Sequence, residues 1–234
     1  MSQMKLLVGK TAIITGAGRG IGAEIAFLLG VNGANLVICS RNMPELEKVA
    51  SKIRRRGGKV FTIKADVSKQ KDVKRMFKIA IKKYSNIDFL VNNAGIGEKL
   101  APLEQWIEPE IDRVIKVNLL GPLYCCNLLI KMQKDKPFKI INIVSKAGVR
   151  GYANMVAYSS SKFGLIGLTK SLAKELKKGK VYAICPGRVN TALYRKFFKL
   201  DNLVLPPKRI AEKVLELCKN NCRIKSGSVI KVFS

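Results

Sequence analysis

A tyrosine and a lysine stand four residues apart in the run AYSSSKFG, at Tyr158 and Lys162. The surrounding segment, residues 155–178, has a helical pattern, so this spacing puts both side chains on one face of a helix. A free tyrosine has a pKa of about 10, and a neighbouring ammonium group favours the phenolate. The pair is therefore a candidate proton donor and acceptor, although the same spacing also describes an ordinary surface pair.

A glycine-rich run, TGAGRGIG, follows the first apolar run and leads into a helical segment. Gly16, Gly20 and Gly22 permit a tight turn and let the backbone approach a ligand closely. Amide groups at the N-terminus of the following helix would then face a pyrophosphate. The spacing departs from the usual G-x-G-x-x-G pattern, and a turn without a ligand is the alternative. The position between strand and helix favours dinucleotide binding.

The end of the second predicted strand, ICSRN, indicates which dinucleotide is preferred. A carboxylate at this place would accept a hydrogen bond from the ribose 2′-hydroxyl of NAD and would repel the 2′-phosphate of NADP. Ser40 and Arg41 stand there instead, and Arg19 lies in the glycine turn. These groups predict a cationic site for the 2′-phosphate, and therefore NADP over NAD. The alternative is that both arginines are plain surface charges.

The chain contains no histidine, which excludes Ser-His-Asp triads, histidine bases and histidine zinc sites. Acid and base roles therefore fall to Tyr, Lys, Cys, Asp or Glu. The six cysteines form no CxxC pair. Cys39 and Cys185 lie in apolar strand-like runs, where cysteine acts as a small hydrophobic residue. We expect buried thiols and no metal site.

Short apolar runs alternate with helical segments along the whole chain. The predicted strands are residues 10–15, 34–40, 59–65, 87–91, 138–144, 180–185 and 228–233. Most are apolar almost throughout, as expected for strands covered on both faces. The clearest helix, residues 69–84, has an apolar stripe with lysines outside it. This alternation predicts an α/β fold with a single doubly wound, Rossmann-type parallel sheet, helices on both faces, and one domain over residues 1–234.

The amino terminus and the apolar stretches bear on location. The run MSQMKLLVGK has neither the length nor the cleavage signal of a secretory peptide. The longest apolar stretch, residues 117–130, is interrupted by polar residues, glycine and proline, and it is too short to span a bilayer. We therefore expect a cytoplasmic protein with no membrane partner.

The charge balance is strongly basic, with 44 lysine and arginine residues against 16 acidic ones and a formal net charge of +28. Such a charge suits nucleic acid, anionic membranes or acidic small molecules. A nucleic-acid-binding protein on a Rossmann-like scaffold is therefore a second functional hypothesis. The basic residues recur on nearly every predicted helix without a nucleic-acid motif, so we do not expect nucleic acid as the main partner.

Taken together and in this order, the motifs resemble the short-chain dehydrogenase/reductase family over nearly the whole chain. The resemblance rests on TGAGRGIG, Asp66-Val67, NNAG, KVNLLG, IVSKAG, YSSSK and CPGRVNT. The catalytic residues that it implies are Asn118, Ser145, Tyr158 and Lys162. The cofactor contacts that it implies are Gly16, Gly18, Arg19, Gly20, Ile21, Gly22, Ser40, Arg41, Asp66, Val67, Asn93, Ala94, Gly95, Tyr158, Lys162, Pro186, Gly187, Val189 and Thr191.

The resemblance also implies how the catalytic residues act. Ser145 would hydrogen-bond the substrate carbonyl, Tyr158 would deliver the proton and the nicotinamide would deliver the hydride. Lys162 would hold the nicotinamide ribose, and Asn118 would support a water chain. The implied activity is an NADP-dependent interconversion of a ketone or aldehyde and an alcohol, similar to that of 3-oxoacyl-[acyl-carrier-protein] reductases. A sugar, polyol or other small-alcohol dehydrogenase of the same family is the alternative.

The C-terminal part departs from the usual family pattern. The link KELKKGKV before the sixth strand is short, and the final VIKVFS lacks a glycine pair. Residues 192–205 carry aromatic and basic side chains and are expected to lie over the substrate. They would suit an apolar substrate with an anionic end. The family also implies a homo-oligomer, either a tetramer or a dimer.

Overall fold

The computed structural model describes residues 5–97, 99–133 and 136–233. Within these ranges the strands form one seven-stranded parallel sheet in the order β3-β2-β1-β4-β5-β6-β7. The strands are β1 Thr11–Thr15, β2 Asn35–Ser40, β3 Lys59–Lys64, β4 Phe89–Asn92, β5 Phe138–Ile143, β6 Gly179–Pro186 and β7 Val229–Val232. The predicted fold class, a doubly wound Rossmann-type α/β sheet, is confirmed.

The central strands bury side chains on both faces of the sheet. β1 is buried along its whole length, and its Ile13 pairs with Val37 of β2 on one side and with Leu90 of β4 on the other. Because both faces are covered, these strands read as continuous apolar runs without alternation. The edge strand β3 differs, since Lys59 and Lys64 are exposed. Charged side chains on an edge strand oppose its pairing with another sheet.

Helices cover both faces of the sheet. They are α1 Gly20–Val31, α2 Met43–Arg55, α3 Gln70–Tyr84, α4 Glu108–Ile115, α5 Gly121–Gln133, α6 Val156–Glu175, α7 Ala192–Arg195 and α8 Pro207–Cys218. Leu29 of α1 and Ile210 of α8 belong to the core on one face. Phe77 of α3 and Leu129 of α5 belong to the core on the other. The predicted helix at 155–178 ends earlier, because Leu176 is extended and leads into β6.

Helices α4 and α5 form one continuous helix of 26 residues, Glu108–Gln133, joined by a π-helical turn at Lys116–Leu120. This helix is longer than the apolar run at residues 117–130, because it begins at Glu108 and ends at Gln133. By length and a mean hydropathy of 1.3 it could cross a membrane. Part of the helix lies in the protein core, where Val117 and Cys125 pack beneath the sheet, and a core helix meets the same two criteria.

The cysteines are mostly core residues. Cys39 and Cys185 are fully buried in β2 and β6, as predicted, and Cys125, Cys126 and Cys218 are buried as well. Burial raises the pKa of Cys39 to about 12, because a thiolate loses its hydration in an apolar environment. Such a thiol is a structural residue rather than a nucleophile.

The strand order reverses between β1 and β4. The chain proceeds from β1 to β2 and β3 on one side, then crosses back to β4 on the other. The carboxyl ends of β1 and β4 therefore open a crevice, which is where open α/β sheets bind their ligands. Thr15 and Asn92 end these two strands, so the glycine turn and the NNAG segment lie at this crevice.

Candidate active site

The glycine turn between β1 and α1 packs against the NNAG segment. Gly16 has a φ of +65°, and a Cβ atom there would lie 2.7 Å from the Cα atom of Ala94. A Cβ atom on Gly22 would lie 2.3 Å from Nδ2 of Asn93. That amide group donates hydrogen bonds of 3.0 Å to the carbonyl oxygens of Thr15 and Gly16. The close approach explains why glycine is required at these two positions.

Thr15 ties the two sides of the crevice together, and sequence reasoning did not single it out. Its hydroxyl oxygen accepts hydrogen bonds from the backbone N–H groups of Asn93 and Ala94, at 3.1 and 3.0 Å. A threonine that directly precedes a glycine turn was the available signal. This network fixes the NNAG backbone beside the N-terminus of α1.

The N-terminus of α1 fits the phosphate groups of a dinucleotide. Within the described residues, Arg19 makes no side-chain cap to this helix, and its first turn holds no acidic side chain. The first backbone N–H groups of a helix lack partners within the helix and attract anions. Gly18 and Gly20 keep side chains away from this surface. The glycine turn and the N-terminus of α1 therefore suit the dinucleotide that the sequence predicts.

The residues predicted to recognise the 2′-phosphate lie where β2 ends. Ser40 donates a hydrogen bond of 2.8 Å from its hydroxyl to the backbone oxygen of Asn42, and Arg41 is exposed. Arg19 makes an ion pair of 3.8 Å with Glu45, in the first turn of α2. Sequence reasoning missed Glu45, although its position three residues after the N-cap Asn42 placed it near this turn.

Asp66 and Val67 follow β3 at the same edge of the sheet. The Asp66 carboxylate accepts hydrogen bonds from the backbone N–H and the hydroxyl of Ser68, at 3.0 and 2.7 Å. Val67 is buried, and a Cβ atom on Gly121 would lie 2.9 Å from its side chain. The loop after β3 is thus held in place by its own turn and by the start of α5.

Tyr158 and Lys162 lie on one face of α6, as predicted. The Nζ atom of Lys162 is 5.6 Å from the centre of the Tyr158 ring, and it donates a hydrogen bond of 3.1 Å to the carbonyl oxygen of Ile143. Lys162 is only 4% exposed. Burial lowers its pKa from 10.5 to about 8, because the ammonium group loses its hydration. The lysine can therefore change its protonation state close to neutral pH.

Asn118 lies in the π-helical turn between α4 and α5. Its amide exchanges two hydrogen bonds with the backbone of Ile96, at 2.9 and 3.0 Å, and it also donates one of 3.2 Å to the hydroxyl of Ser161. Ser161 in turn donates to the carbonyl oxygen of Tyr158 at 2.6 Å. Ser161 is therefore a link between Asn118 and the helix that carries Tyr158, which the sequence did not reveal.

Gly95 brings the NNAG segment to the same place. A Cβ atom on Gly95 would lie 3.4 Å from Oδ1 of Asn118 and 3.6 Å from Nζ of Lys162. The three positions come from the loop after β4, the π-helical turn and α6, and more than 20 residues separate each pair along the chain. The fold thus gathers three of the predicted site positions around the buried ammonium group.

Ser145 follows β5 and begins a short 3-10 turn, Lys146–Gly148. Its hydroxyl oxygen accepts a hydrogen bond of 3.1 Å from the backbone N–H of Ala147. A Cβ atom on Gly148 would lie 2.9 Å from the carbonyl oxygen of Lys162. This close approach holds the Ser145 turn against α6. Ser145 therefore lies at the carboxyl end of the sheet, beside the helix with the tyrosine and the lysine.

The segment after β6 reaches back to the glycine turn. Pro186 is buried at the end of β6, and Gly187 donates a backbone hydrogen bond of 2.8 Å to Val232 of β7. A Cβ atom on Gly20 would lie 3.3 Å from a methyl carbon of Thr191. Val189 is buried and forms a bridge with Leu205. This bridge closes residues 190–204 into a loop.

The loop 190–204 carries a cluster of aromatic rings. The Tyr194 and Phe198 rings stack with their centres 5.1 Å apart, and Phe197 meets Phe198 edge to face. A Cβ atom on Gly97 would lie 2.6 Å from the Phe197 ring and 3.0 Å from Leu193. The loop therefore packs on the chain directly after the NNAG segment. Gly97 was not singled out from the sequence.

A dinucleotide-binding oxidoreductase is the class of protein that this fold and site define. Residues 10–201 match the short chain dehydrogenase family, and the chain belongs to this family. It is an enzyme that acts on CH–OH groups or carbonyls with NAD or NADP.

The similarity to curated relatives and to solved structures covers most of the chain. The chain is 37% identical to a 3-oxoacyl-[acyl-carrier-protein] reductase of Synechocystis sp. over 192 residues, 80% of this chain and 77% of the relative. The solved 3-ketoacyl-(acyl-carrier-protein) reductase from Brucella melitensis, complexed with NADH, is 32% identical with a TM-score of 0.91, over 97% and 98% of the two chains. An alcohol dehydrogenase from the archaeon Thermococcus sibiricus, complexed with 5-hydroxy-NADP, is 29% identical with a TM-score of 0.89, over 96% of each.

Proposed function

We propose that this enzyme interconverts a ketone or aldehyde and an alcohol with NADP, and that Tyr158 is its general acid and base. The observation that carries the proposal is the arrangement around the Lys162 ammonium group. That group lies 5.6 Å from the centre of the Tyr158 ring, and a Cβ atom on Gly95 would lie 3.6 Å from it and 3.4 Å from Oδ1 of Asn118. A buried cation beside a tyrosine favours the phenolate, which makes the tyrosine a usable proton acceptor.

NADP supplies or accepts the hydride when it is bound. In the reduction, Tyr158 donates its phenolic proton to the developing alkoxide oxygen, and Ser145 donates a hydrogen bond to the same oxygen. Lys162 stabilises the phenolate that remains on Tyr158. In the oxidation, the phenolate takes the proton from the alcohol. The chain holds no histidine, so this tyrosine takes the role that imidazole has in many other enzymes.

Asn118 and Lys162 supply the route by which Tyr158 regains its proton. A lysine with a pKa of about 8 can release a proton to a phenolate and then take one up from solvent near neutral pH. Asn118 and this lysine both lie next to Gly95, and Asn118 fixes the backbone of Ile96. We assign Asn118 to the support of a water chain that connects Lys162 with solvent.

The preference for NADP rests on Arg19, Ser40 and Arg41. Arg19 lies in the glycine turn, and Ser40 and Arg41 lie at the end of β2, where the ribose 2′-position of the cofactor would lie. Two guanidinium groups and a hydroxyl can hold a 2′-phosphate. The remaining proposed cofactor contacts are Gly16, Gly18, Gly20, Ile21, Gly22, Asp66, Val67, Asn93, Ala94, Gly95, Pro186, Gly187, Val189 and Thr191.

The substrate we propose is an apolar carbonyl compound with an anionic end, such as a 3-oxoacyl thioester of an anionic carrier. The loop 190–204 supports this choice, since it combines the rings of Tyr194, Phe197 and Phe198 with Arg195 and Lys196. Two of the similar proteins bear the name of acyl-carrier-protein reductases. A sugar, polyol or other small-alcohol dehydrogenase is the second candidate, and the similar alcohol dehydrogenase supports its small-alcohol form.

NADPH oxidation against a panel of ketones, aldehydes and acyl thioesters tests the proposal, with NADH as the comparison. The panel includes matched uncharged and anionic ketones. We expect turnover with NADPH and tighter binding of the anionic member. Tyr158→Phe should lose at least a hundredfold in kcat while it binds NADPH almost as wild type, since acid-base catalysis contributes about 10²- to 10⁴-fold. Comparable turnover in this variant would refute the role of Tyr158.

We further propose that the whole chain, residues 1–234, is one domain that acts in the cytoplasm as a homo-oligomer, a dimer or a tetramer. The exposed apolar side chains Leu123 of α5 and Phe163 of α6 support an oligomer. They lie on helices that cover the same face of the sheet, and exposed apolar side chains on one face can form an interaction surface.

A further inference from the structure

Glu45 lies where three elements meet around the proposed 2′-phosphate site. It belongs to the first turn of α2, and its backbone N–H donates a hydrogen bond of 3.2 Å to the side chain of Asn42. A Cβ atom on Gly18 would lie 3.1 Å from Oγ of Ser40 and 3.5 Å from Cβ of Glu45. The glycine turn, the end of β2 and the start of α2 therefore share one small volume.

Glu45 is the nearest acidic partner of Arg19. The Nη1 atom of Arg19 lies 3.8 Å from Oε1 of Glu45, and the two side chains are 69% and 37% exposed. An ion pair this exposed is weak, and Arg19 must still give it up, at a modest cost, to turn towards a phosphate. The N-cap hydrogen bond holds the backbone of Glu45 at this place, so its carboxylate remains within reach of this volume. A phosphate that enters this volume would therefore lie close to the Glu45 carboxylate.

We infer that Glu45 is a specificity-determining residue that opposes the 2′-phosphate and so weakens the preference for NADP. It does so in two ways: it holds Arg19 away from the phosphate, and its own charge repels the phosphate. A phosphate monoester carries a charge of about −1.5 to −2 at pH 7, while the ribose 2′-hydroxyl of NAD is neutral. Glu45 therefore weakens NADPH binding and leaves NADH binding almost unaffected. The inference rests on the proposed placement of the cofactor.

Glu47 provides a matched control on the same helix. Its carboxylate pairs with Arg54 at 3.0 Å and with the hydroxyl of Thr62, both on the β3 side of α2. Glu47 is two residues from Glu45 in the chain. Glu47→Gln therefore removes the same charge from the same helix as Glu45→Gln does. Its partners do not include Arg19. A general effect of net charge would appear in both variants, whereas a local effect would appear only at Glu45.

Fluorescence titration with NADPH and with NADH tests the inference on wild type, Glu45→Gln and Glu47→Gln. We expect Glu45→Gln to lower the Kd for NADPH by ~3- to 10-fold and to change the Kd for NADH by less than about twofold. The gain should shrink in 0.5 M salt, because screening weakens charge interactions at the surface. It should also shrink in an Arg19→Gln background, where no guanidinium group is released.

Each result has a distinct meaning. An unchanged ratio of the two Kd values in Glu45→Gln, or an equal change in Glu47→Gln, would overturn the role of Glu45. Tighter binding of NADH than of NADPH by the wild type would overturn the proposed NADP preference, yet the shift of the ratio in Glu45→Gln would still support the role of Glu45. If neither dinucleotide binds, both the proposed function and this inference are wrong.

Discussion

The ammonium group of Lys162 lies in the protein interior, where it loses its hydration. Its Nζ atom has the carbonyl oxygen of Ile143 as a partner at 3.1 Å and faces the Tyr158 ring. Burial lowers its pKa to about 8. The folded chain therefore binds fewer protons than the unfolded chain between about pH 8 and pH 10.5, and stability rises with pH in this window. Below pH 8 the buried charge lowers stability, as is common for residues held in place for function.

Lys162→Met should therefore raise the free energy of unfolding of the cofactor-free enzyme at pH 7, by up to ~3 kcal/mol, while it abolishes turnover. The gain should fall as the pH approaches 10.5, where the wild-type lysine is neutral in the folded state and half of it is neutral in the unfolded state. Urea unfolding at pH 7 and pH 10 measures this difference. Lys170→Met, at an exposed position on the same helix, should change little. A variant at 162 that is less stable than wild type at pH 7 would contradict the prediction.

Helix α6 acts as the element that holds the site together. A buried chain of hydrogen bonds fixes it to the sheet: Asn92 of β4 donates to Asn142 of β5 at 2.8 Å, and Asn142 donates to Thr169 of α6 at 2.9 Å. A Cβ atom on Gly164 would lie 2.9 Å from the side chain of Leu119, in the π-helical turn. These contacts fix the positions of the sheet, the π-helical turn and α6 relative to one another, and with them the positions of the site's side chains.

Asn142→Ala should destabilise the protein by about 2–4 kcal/mol, because it leaves the buried groups of Asn92 and Thr169 with fewer partners. Denaturant unfolding at pH 7 measures the loss. Asn127→Ala provides the control, since Asn127 is exposed on α5 and should lose less than about 0.5 kcal/mol. Equal stabilities of the two variants would show that this network does not fix α6.

At the scale of the whole molecule, self-association depends on which surfaces expose charged side chains and which expose apolar ones. The formal charge is +28, and the edge of the sheet at β3 exposes lysines. Exposed apolar side chains occur on α5 and α6, where Leu123 and Phe163 are 37% and 47% exposed, and also elsewhere, as at Val8 and Ile107. A like-charged edge opposes self-association, whereas an apolar helix face promotes it. Association through α5 and α6 is therefore the arrangement we expect.

Phe163→Glu should lower the molecular mass in solution, from a tetramer or dimer towards smaller species, because a charge would be buried at the interface. Light scattering after gel filtration measures this mass. Val8→Glu is the matched control, since Val8 is 69% exposed far from these helices in the chain. An unchanged mass in Phe163→Glu would exclude this face as the interface, and a monomeric wild type would exclude the oligomer.

The sequence by itself determined the sheet, its wrapping by helices and most of the candidate site positions. Strands buried on both faces leave continuous apolar runs, and helices on a sheet leave stripes, so both can be recognised from local patterns. The glycine turn and the Tyr158–Lys162 pair were equally local signals. The ends of helices and strands were predicted to within a few residues, as the early end of α6 and the start of β4 at Phe89 illustrate.

Only the tertiary structure decided which distant residues meet. The ion pair of Arg19 with Glu45, the link from Asn118 through Ser161 to the Tyr158 backbone, and the packing of Phe197 on Gly97 each join separate elements. Such contacts depend on strand order, helix position and rotamers, none of which leaves a periodic signal in the chain. The lowered pKa of Lys162 belongs here too, because it follows from burial by several elements at once.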